Sequence, residues 1–233
     1  MREPLVIAVA QPLCTARDVE ANAAAHADAI RAARARVVVF PELSLTGYEF
    51  GAPALSPDDP GLAAVVEACA ETGSLALAGA PVRGEEGRLH IATLAVEGTG
   101  VTIAYRKQWM DGPEAELFTP GPAPAVLDVD GWRLGLAICK DMGTPQHPAD
   151  TAALGMDVYV ASVLDSEETS RSAERAPRIA AAYGVPVALS SFAGPTGQGY
   201  DRTAGGSGVW SREGERLARS GPGPGAIARV VLS

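Results

Sequence analysis

Leu134-Gly135-Leu136-Ala137-Ile138-Cys139-Lys140-Asp141 is an apolar run that closes on a thiol. Leu134, Leu136 and Ile138 alternate, which is the period of a strand with one buried face. A cysteine at the C-terminal end of such a strand, where a loop begins, stands where an α/β sheet presents reactive groups. Most unpaired cysteines are small buried hydrophobes, so Cys139 gains meaning only from two further stretches. Val37-Val38-Val39-Phe40 reads as a short strand buried on both faces; Pro41 cannot donate to a ladder and ends it, leaving Glu42 at the tip. Val101-Thr102-Ile103-Ala104-Tyr105-Arg106-Lys107 is a third strand, and it ends on an ammonium.

Singly, Glu42 and Lys107 read as solvated strand-end charges. Together with Cys139 they have a chemical logic. A thiolate is the nucleophile, yet at an ordinary pKa only a few per cent of a thiol is ionised near neutrality. A neighbouring carboxylate can take the thiol proton, and a neighbouring ammonium can stabilise the thiolate and then a tetrahedral oxyanion.

Phe40-Pro41-Glu42-Leu43 with Thr46-Gly47-Tyr48, then Tyr105-Arg106-Lys107, then Ile138-Cys139-Lys140-Asp141 resemble the three signature blocks of the nitrilase superfamily of carbon–nitrogen hydrolases, in order and spacing. The similarity continues through Glu114 to Pro120-Gly121, Leu154 to Ser162, Tyr183 to Ala188, and Gly205 to Trp210 with Gly214, so it spans nearly the whole chain. The resemblance implies an α/β fold, a four-layer α-β-β-α sandwich with mixed sheets, as one domain over residues 1–233. It implies a homodimer or higher homo-oligomer and a small-molecule amide as the partner, with no cofactor. It implies catalysis by Glu42, Lys107 and Cys139, with the backbone N–H of Lys140 facing the oxyanion. Glu114 is the candidate second carboxylate, with Glu116 the alternative. Tyr48, Trp109, Lys140, Met142, Ser162 and Leu164 lie beside the signature blocks and are the candidates to bind substrate.

One departure bears on substrate. After the Cys-x-Asp block many members carry Pro-Glu and then an arginine, whereas here Pro145 is followed by Gln146, with Ala149 in the arginine's place. A guanidinium there would suit a substrate carboxylate. Its absence weakens an N-carbamoyl amino acid reading and favours a small neutral or aliphatic amide, unless Arg171 or Arg202 reaches the pocket from elsewhere. A nitrilase with the same triad is an alternative, although Cys-Lys-Asp looks more like the amidase branches than Cys-Trp-Glu does. Two further alternatives are acyl transfer to an amine and a catalytically silent binding or scaffold member.

Composition narrows the classes. The 233 residues are 47% hydrophobic and 20% charged, with a net charge of −9, an ordinary globular balance whose acidic surface does not attract phosphate backbones. Nucleic acid is therefore not an expected partner. Cys14, Cys69 and Cys139 are an odd set without a CxxC pair, and His26, His90 and His147 are scattered, which argues against a disulfide framework, a zinc site and a Cys–His pair. His147, close after Cys139, reads as a loop histidine near a helix start. With no signal-like leader and no membrane-length apolar run, the expected location is the cytoplasm, with no membrane partner.

Along the chain, strands are predicted at Leu5 to Val9, Val37 to Phe40, Leu75 to Ala80, Leu89 to Val96, Val101 to Arg106, Ala125 to Val129, Trp132 to Ile138, Val158 to Ser162, Val185 to Ser190, Ser207 to Trp210 and Ala226 to Val231. Helices are predicted in the Ala-rich stretch to about Ala35, capped by Thr15 with Asp18, and at Leu62 to Thr72, Pro148 to Leu154 and Glu167 to Tyr183, the last kinked at Pro177. Gln108 to Pro124 reads as a loop with at most one helical turn. No fixed-period repeat is visible.

Overall fold

Alternation within the apolar strands divides their side chains between three cores, and this division builds the layers. The computed structural model describes residues 2–168 and 171–233. The strands are β1 (Leu5–Gln11), β2 (Val37–Val39), β3 (Leu75–Arg83), β4 (Leu89–Glu97), β5 (Gly100–Arg106), β6 (Ala125–Val129), β7 (Trp132–Ile138), β8 (Val158–Val163), β9 (Val187–Ser191), β10 (Gly208–Trp210), β11 (Arg216–Arg219) and β12 (Ala226–Leu232). The helices are α1 (Val19–Ala33), α2 (Ala63–Thr72), α3 (Gly112–Leu117), α4 (Lys140–Gly143), α5 (Gln146–Ala153) and α6 (Ser172–Tyr183). They form two six-stranded sheets, ordered β12-β1-β2-β3-β4-β5 and β11-β10-β9-β8-β7-β6.

Ile7, Val9, Val37, Val39 and Leu77 of the first sheet share one core with Leu134, Leu136, Ile138 and Val160 of the second. The intervening positions Ala8, Ala10, Val38, Ala76 and Ala78 face Ala23, Ala27 and Ile30 of α1 and Val65 and Ala68 of α2. Their small side chains let the helices sit close to the sheet. On the far side, Tyr159, Ala161, Val187 and Leu189 meet Ala176, Ile179 and Ala180 of α6. Each fully buried Val, Leu or Ile contributes about 1.5–3 kcal/mol, so the sandwich α-β-β-α follows from where these residues fall.

Both sheets are mixed. β1-β2-β3 and β7-β8-β9 pair in parallel, and every other neighbour is antiparallel. From β12 the first sheet runs antiparallel, parallel, parallel, antiparallel, antiparallel, and from β6 the second repeats that pattern. The unit β1-α1-β2-α2-β3-β4-β5 is thus matched by β7-α5-β8-α6-β9-β10-β11, although the sequence carries no repeat.

Several local expectations change. Asp18 caps α1, its carboxylate accepting from Ala21 N at 3.0 Å, while Thr15 N donates to Asn22 Oδ1 at 2.7 Å. The Gln108 to Pro124 segment holds the six-residue helix α3, started by a capping box of Asp111 and Glu114 with Pro113 in the first turn. The helix expected from Pro148 is α5, which starts two residues earlier at Gln146, and a further short helix, α4, follows directly after Cys139. α6 begins at Ser172 rather than Glu167; Thr169 and Ser170, within the predicted helix, lie outside the described residues. Pro177 sits inside α6 without breaking it. Among the described residues no helix is long and apolar enough to cross a membrane.

Candidate active site

Each candidate side chain is delivered by a strand end. Phe40 N still donates to Leu77 O at 2.9 Å, and the ladder stops at Pro41. The chain then turns through left-handed Leu43 (φ 52), a 3₁₀ turn at Ser44–Thr46, Gly47 (φ 63) and Tyr48 (φ 56), which turns Glu42 inward. Gly79 of β3 permits this approach, since a Cβ there would lie 2.6 Å from Pro41 O and 2.9 Å from the carbonyl carbon of Glu42. Lys107 extends the β5 ladder, its N–H donating to Ile91 O at 2.8 Å. Cys139 leaves β7 with φ 46 and ψ −95, a strained conformation for a residue with a Cβ, anchored by its N–H to Ser162 O at 3.0 Å.

Lys107 Nζ donates to Glu42 Oε1 at 2.7 Å and to Glu114 Oε1 and Oε2 at 2.8 and 2.7 Å. The Lys107 and Glu42 side chains are entirely buried. Glu114 is held by Asp111 N at 3.0 Å, with Tyr48 Oη 3.5 Å away, whereas Glu116 is exposed on α3. Glu42 Oε2 is buried and, among the described residues, has no hydrogen-bond partner. A buried carboxylate oxygen without a donor is costly, and such orphans suit an atom that must accept a proton.

Burial pushes the Glu42 carboxyl up to about 7, against the pull of Lys107 and with help from the Glu114 charge. Burial alone would lower Lys107, but Glu42, Cys139 and Glu114 reverse this and hold the ammonium charged. Burial first, and then the Glu42 charge, push the Cys139 thiol well above its usual range, with Lys107 opposing. The thiol therefore rests protonated, and a base near neutrality stands in its field.

Cys139 is half-buried on the wall of a cavity of ≈ 420 Å³. Tyr48, Lys140, Leu164 and Glu114 line it, together with residues that sequence reading did not single out: Phe50, Asp165, Ser166, Arg175, Gln198 and Tyr200. Arg171 also lines it; Arg202 does not and pairs with Glu167 at 3.5 Å. Trp109, Met142 and Ser162 are not among the residues that line it. Met142 packs backward into the core under α6, Ser162 supports the Cys139 turn through its carbonyl, and Trp109 gives its N–H to Asp141 Oδ1 at 2.9 Å. Three rings surround Tyr48: Phe50, Phe192 and Tyr200 lie at 5.4–5.8 Å.

Behind the thiol, buried Asp141 accepts from Ile138 N at 2.9 Å and Tyr105 Oη at 2.7 Å. Tyr105 Oη also lies 2.9 Å from His147 Nε2, whose Nδ1 meets Tyr159 Oη at 3.0 Å. His147 is thus a buried α5 residue bracing the turn, not a loop histidine. Burial lowers its pKa below the usual range despite nearby Asp141. Among the described residues no group of three or more His, Cys, Asp or Glu could hold a metal ion.

Two stacked mixed sheets that converge a carboxylate, an ammonium and a thiol from separate strand ends define a nucleophile-bearing α/β sandwich. The Carbon-nitrogen hydrolase family profile matches residues 6–232, and the chain belongs to that family. Its fold is that of the amidase from Nesterenkonia sp. AN1, with TM-score 0.85 at 24% identity over 98% of this chain and 90% of that one. The Saccharomyces cerevisiae protein Nit3, a member of branch 10 of the nitrilase superfamily, matches with TM-score 0.88 at 20% identity over 99% and 90%. By sequence the chain is 27% identical to "Hydrolase in pqqF 5'region" of Pseudomonas protegens, over 58% of this chain and 50% of that one. It is 29% identical to "(R)-stereoselective amidase" of a Pseudomonas species, over 53% and 46%. The chain spans about half the length of the curated relatives it matches.

Proposed function

We propose that the chain is a thiol hydrolase that cleaves the C–N bond of a small linear amide. Glu42 takes the Cys139 proton as sulfur attacks the amide carbon. Lys107 and the Lys140 N–H face the oxyanion, donors typically worth about 10²–10³-fold in rate. Glu42 returns the proton to the leaving amine, ammonia departs, and a thioester remains on Cys139. Water, activated by Glu42, then adds to the thioester; the acid leaves and the thiol regains its proton. Glu114 orients Lys107 throughout.

Lys107 bridging Glu42 and Glu114 beside a solvent-reachable, strained cysteine is the observation that carries this assignment. The amidase names among the similar proteins favour an amide over a nitrile. The test is ammonia release from a panel of short amides and matched nitriles, with intact-mass detection of an acyl adduct on Cys139. Release from amides with the adduct supports the assignment. Release only from nitriles, or more than a trace of turnover in Cys139→Ala, refutes it.

A further inference from the structure

The wall of the Cys139 cavity carries positive charge that the chemistry above does not use. Its acidic groups are all engaged. Glu114 is paired with Lys107 at 2.7 Å, Asp111 with Lys140 at 2.6 Å, and Asp165 accepts from both the N–H and the hydroxyl of Ser172 at 3.0 Å. Arg171 and Arg175 line the same wall, and among the described residues neither has an ion-pair partner. In a chain with 28 acidic side chains and a net charge of −9, two unpaired guanidiniums on one cavity wall form a local exception to the acidic surface.

Arg175 is the better fixed of the two. It is half-buried on α6, which packs against α4, the short helix that follows Cys139. Gly143 of α4 makes its place: a Cβ there would lie 3.0 Å from Arg175 Nη1, 3.1 Å from Cζ and 3.2 Å from Nη2. Those near-equal distances set the guanidinium plane face-on against residue 143, so its N–H edge is left for other partners. The guanidinium sought in vain at Ala149 is therefore supplied from another helix.

Resting on the amidase assignment for this cavity, we propose that the substrate carries a carboxylate a few bonds from the scissile amide, and that Arg175, with Arg171 nearer the mouth, pairs with it. A planar guanidinium matches a carboxylate with two parallel donors, and such charge-assisted bonds are about twice as strong as neutral ones. The carboxylate can be carried through carbon, as in the half-amide of a short dicarboxylic acid, or beyond a second nitrogen on the carbonyl, as in an N-carbamoyl amino acid. This revises the preference for a neutral amide drawn from Gln146 and Ala149.

The test compares kcat/KM for succinamate and glutaramate, for N-carbamoylglycine, and for butyramide as the neutral reference. Wild type should favour one acidic arm over butyramide, and the arm favoured identifies the side that bears the carboxylate. In Arg175→Ala that acidic-to-neutral ratio should fall about 10- to 100-fold, mainly through KM. Arg175→Lys should recover part of the loss, and Arg202→Ala, outside the wall, none of it should appear in. Thermal midpoints confirm that each variant folds. A wild-type ratio of one or below, or a ratio unmoved in Arg175→Ala, overturns the carboxylate while leaving amide hydrolysis standing. Absence of ammonia from every amide overturns both.

Discussion

Glu42 sets the pH dependence. Its carboxyl, raised to about 7, must be ionised to accept the thiol proton. The free-enzyme kcat/KM should therefore rise with pH through a midpoint near 7 and level off above it. Glu42→Gln should cost about 10²–10⁴-fold, the usual range for a general base, and flatten that limb. An unchanged profile in the variant would place the base elsewhere. Cys139 makes a second prediction, because its φ of 46 burdens any residue with a Cβ. Cys139→Ala and Cys139→Gly should both be inactive, but the glycine variant should be about 1 kcal/mol the more stable of the two in urea melts. At this scale the sequence exposes Glu42, Lys107 and Cys139 because each ends an apolar run. It does not separate Glu114 from Glu116, which fall on different faces of a helix too short to show periodicity. Nor does it tell that Trp109, Met142 and Ser162 stand outside the cavity lining, since nearness along the chain is not nearness to a cavity. Arg175 is invisible because its position depends on a missing side chain at Gly143, reached only by packing two helices.

The turn after β2 is the element on which the site depends. Gly79→Ala would drive a methyl into Pro41 and Glu42, costing about 1–3 kcal/mol by overpacking. Its activity loss should exceed what the remaining folded fraction accounts for; activity tracking stability alone would contradict this. The same turn is tied to α1 through His26, whose ring meets Asn22 O at 2.6 Å and Ser44 Oγ at 2.8 Å. Burial lowers its pKa to about 4. The unfolded chain takes up that proton near 6.5 and the folded one does not, so stability is lost as pH falls from 6.5 to about 4. The loss is on the order of 3 kcal/mol. Subtracting the stability of His26→Gln at each pH isolates this slope from the opposite one that Glu42 contributes, and a pH-independent difference would refute it. Strands were legible at this scale because alternation and Pro or Gly punctuation mark them directly, except β11 (Arg216–Arg219), whose mostly exposed residues carry no apolar alternation. α4 was not, since four residues between Cys139 and Pro145 carry too little helical period, whereas α5 was read to within two residues of its start.

Across the molecule the two sheets are joined by a few buried polar contacts as well as by their shared core. Gln11, at the end of β1, accepts from Ser207 N and Ser220 Oγ at 3.1 and 2.6 Å and donates to Gly221 O and Gly223 O at 2.8 and 2.7 Å. Gln11→Leu strands these partners, at about 1–3 kcal/mol for each buried group left unmade, and should lower the unfolding free energy from urea melts by several kcal/mol; a near-neutral substitution would show that the join rests on the apolar core alone. The layered architecture was readable from strand–helix–strand order and from the family resemblance. The matched pairing pattern of the two sheets was not, because equivalent strands differ in sequence and only hydrogen bonding reveals them. That pattern has one exception to chain order: β12, which borders β1 along seven residue pairs, is separated from it by residues 12–225. During translation Leu5–Gln11 emerges well before Ala226–Leu232, and its outer ladder of N–H and C=O groups lacks its native partner until that last strand leaves the ribosome. Until then the nascent protein carries an open strand edge, the kind that recruits chaperones or clumps with its neighbours on the polysome.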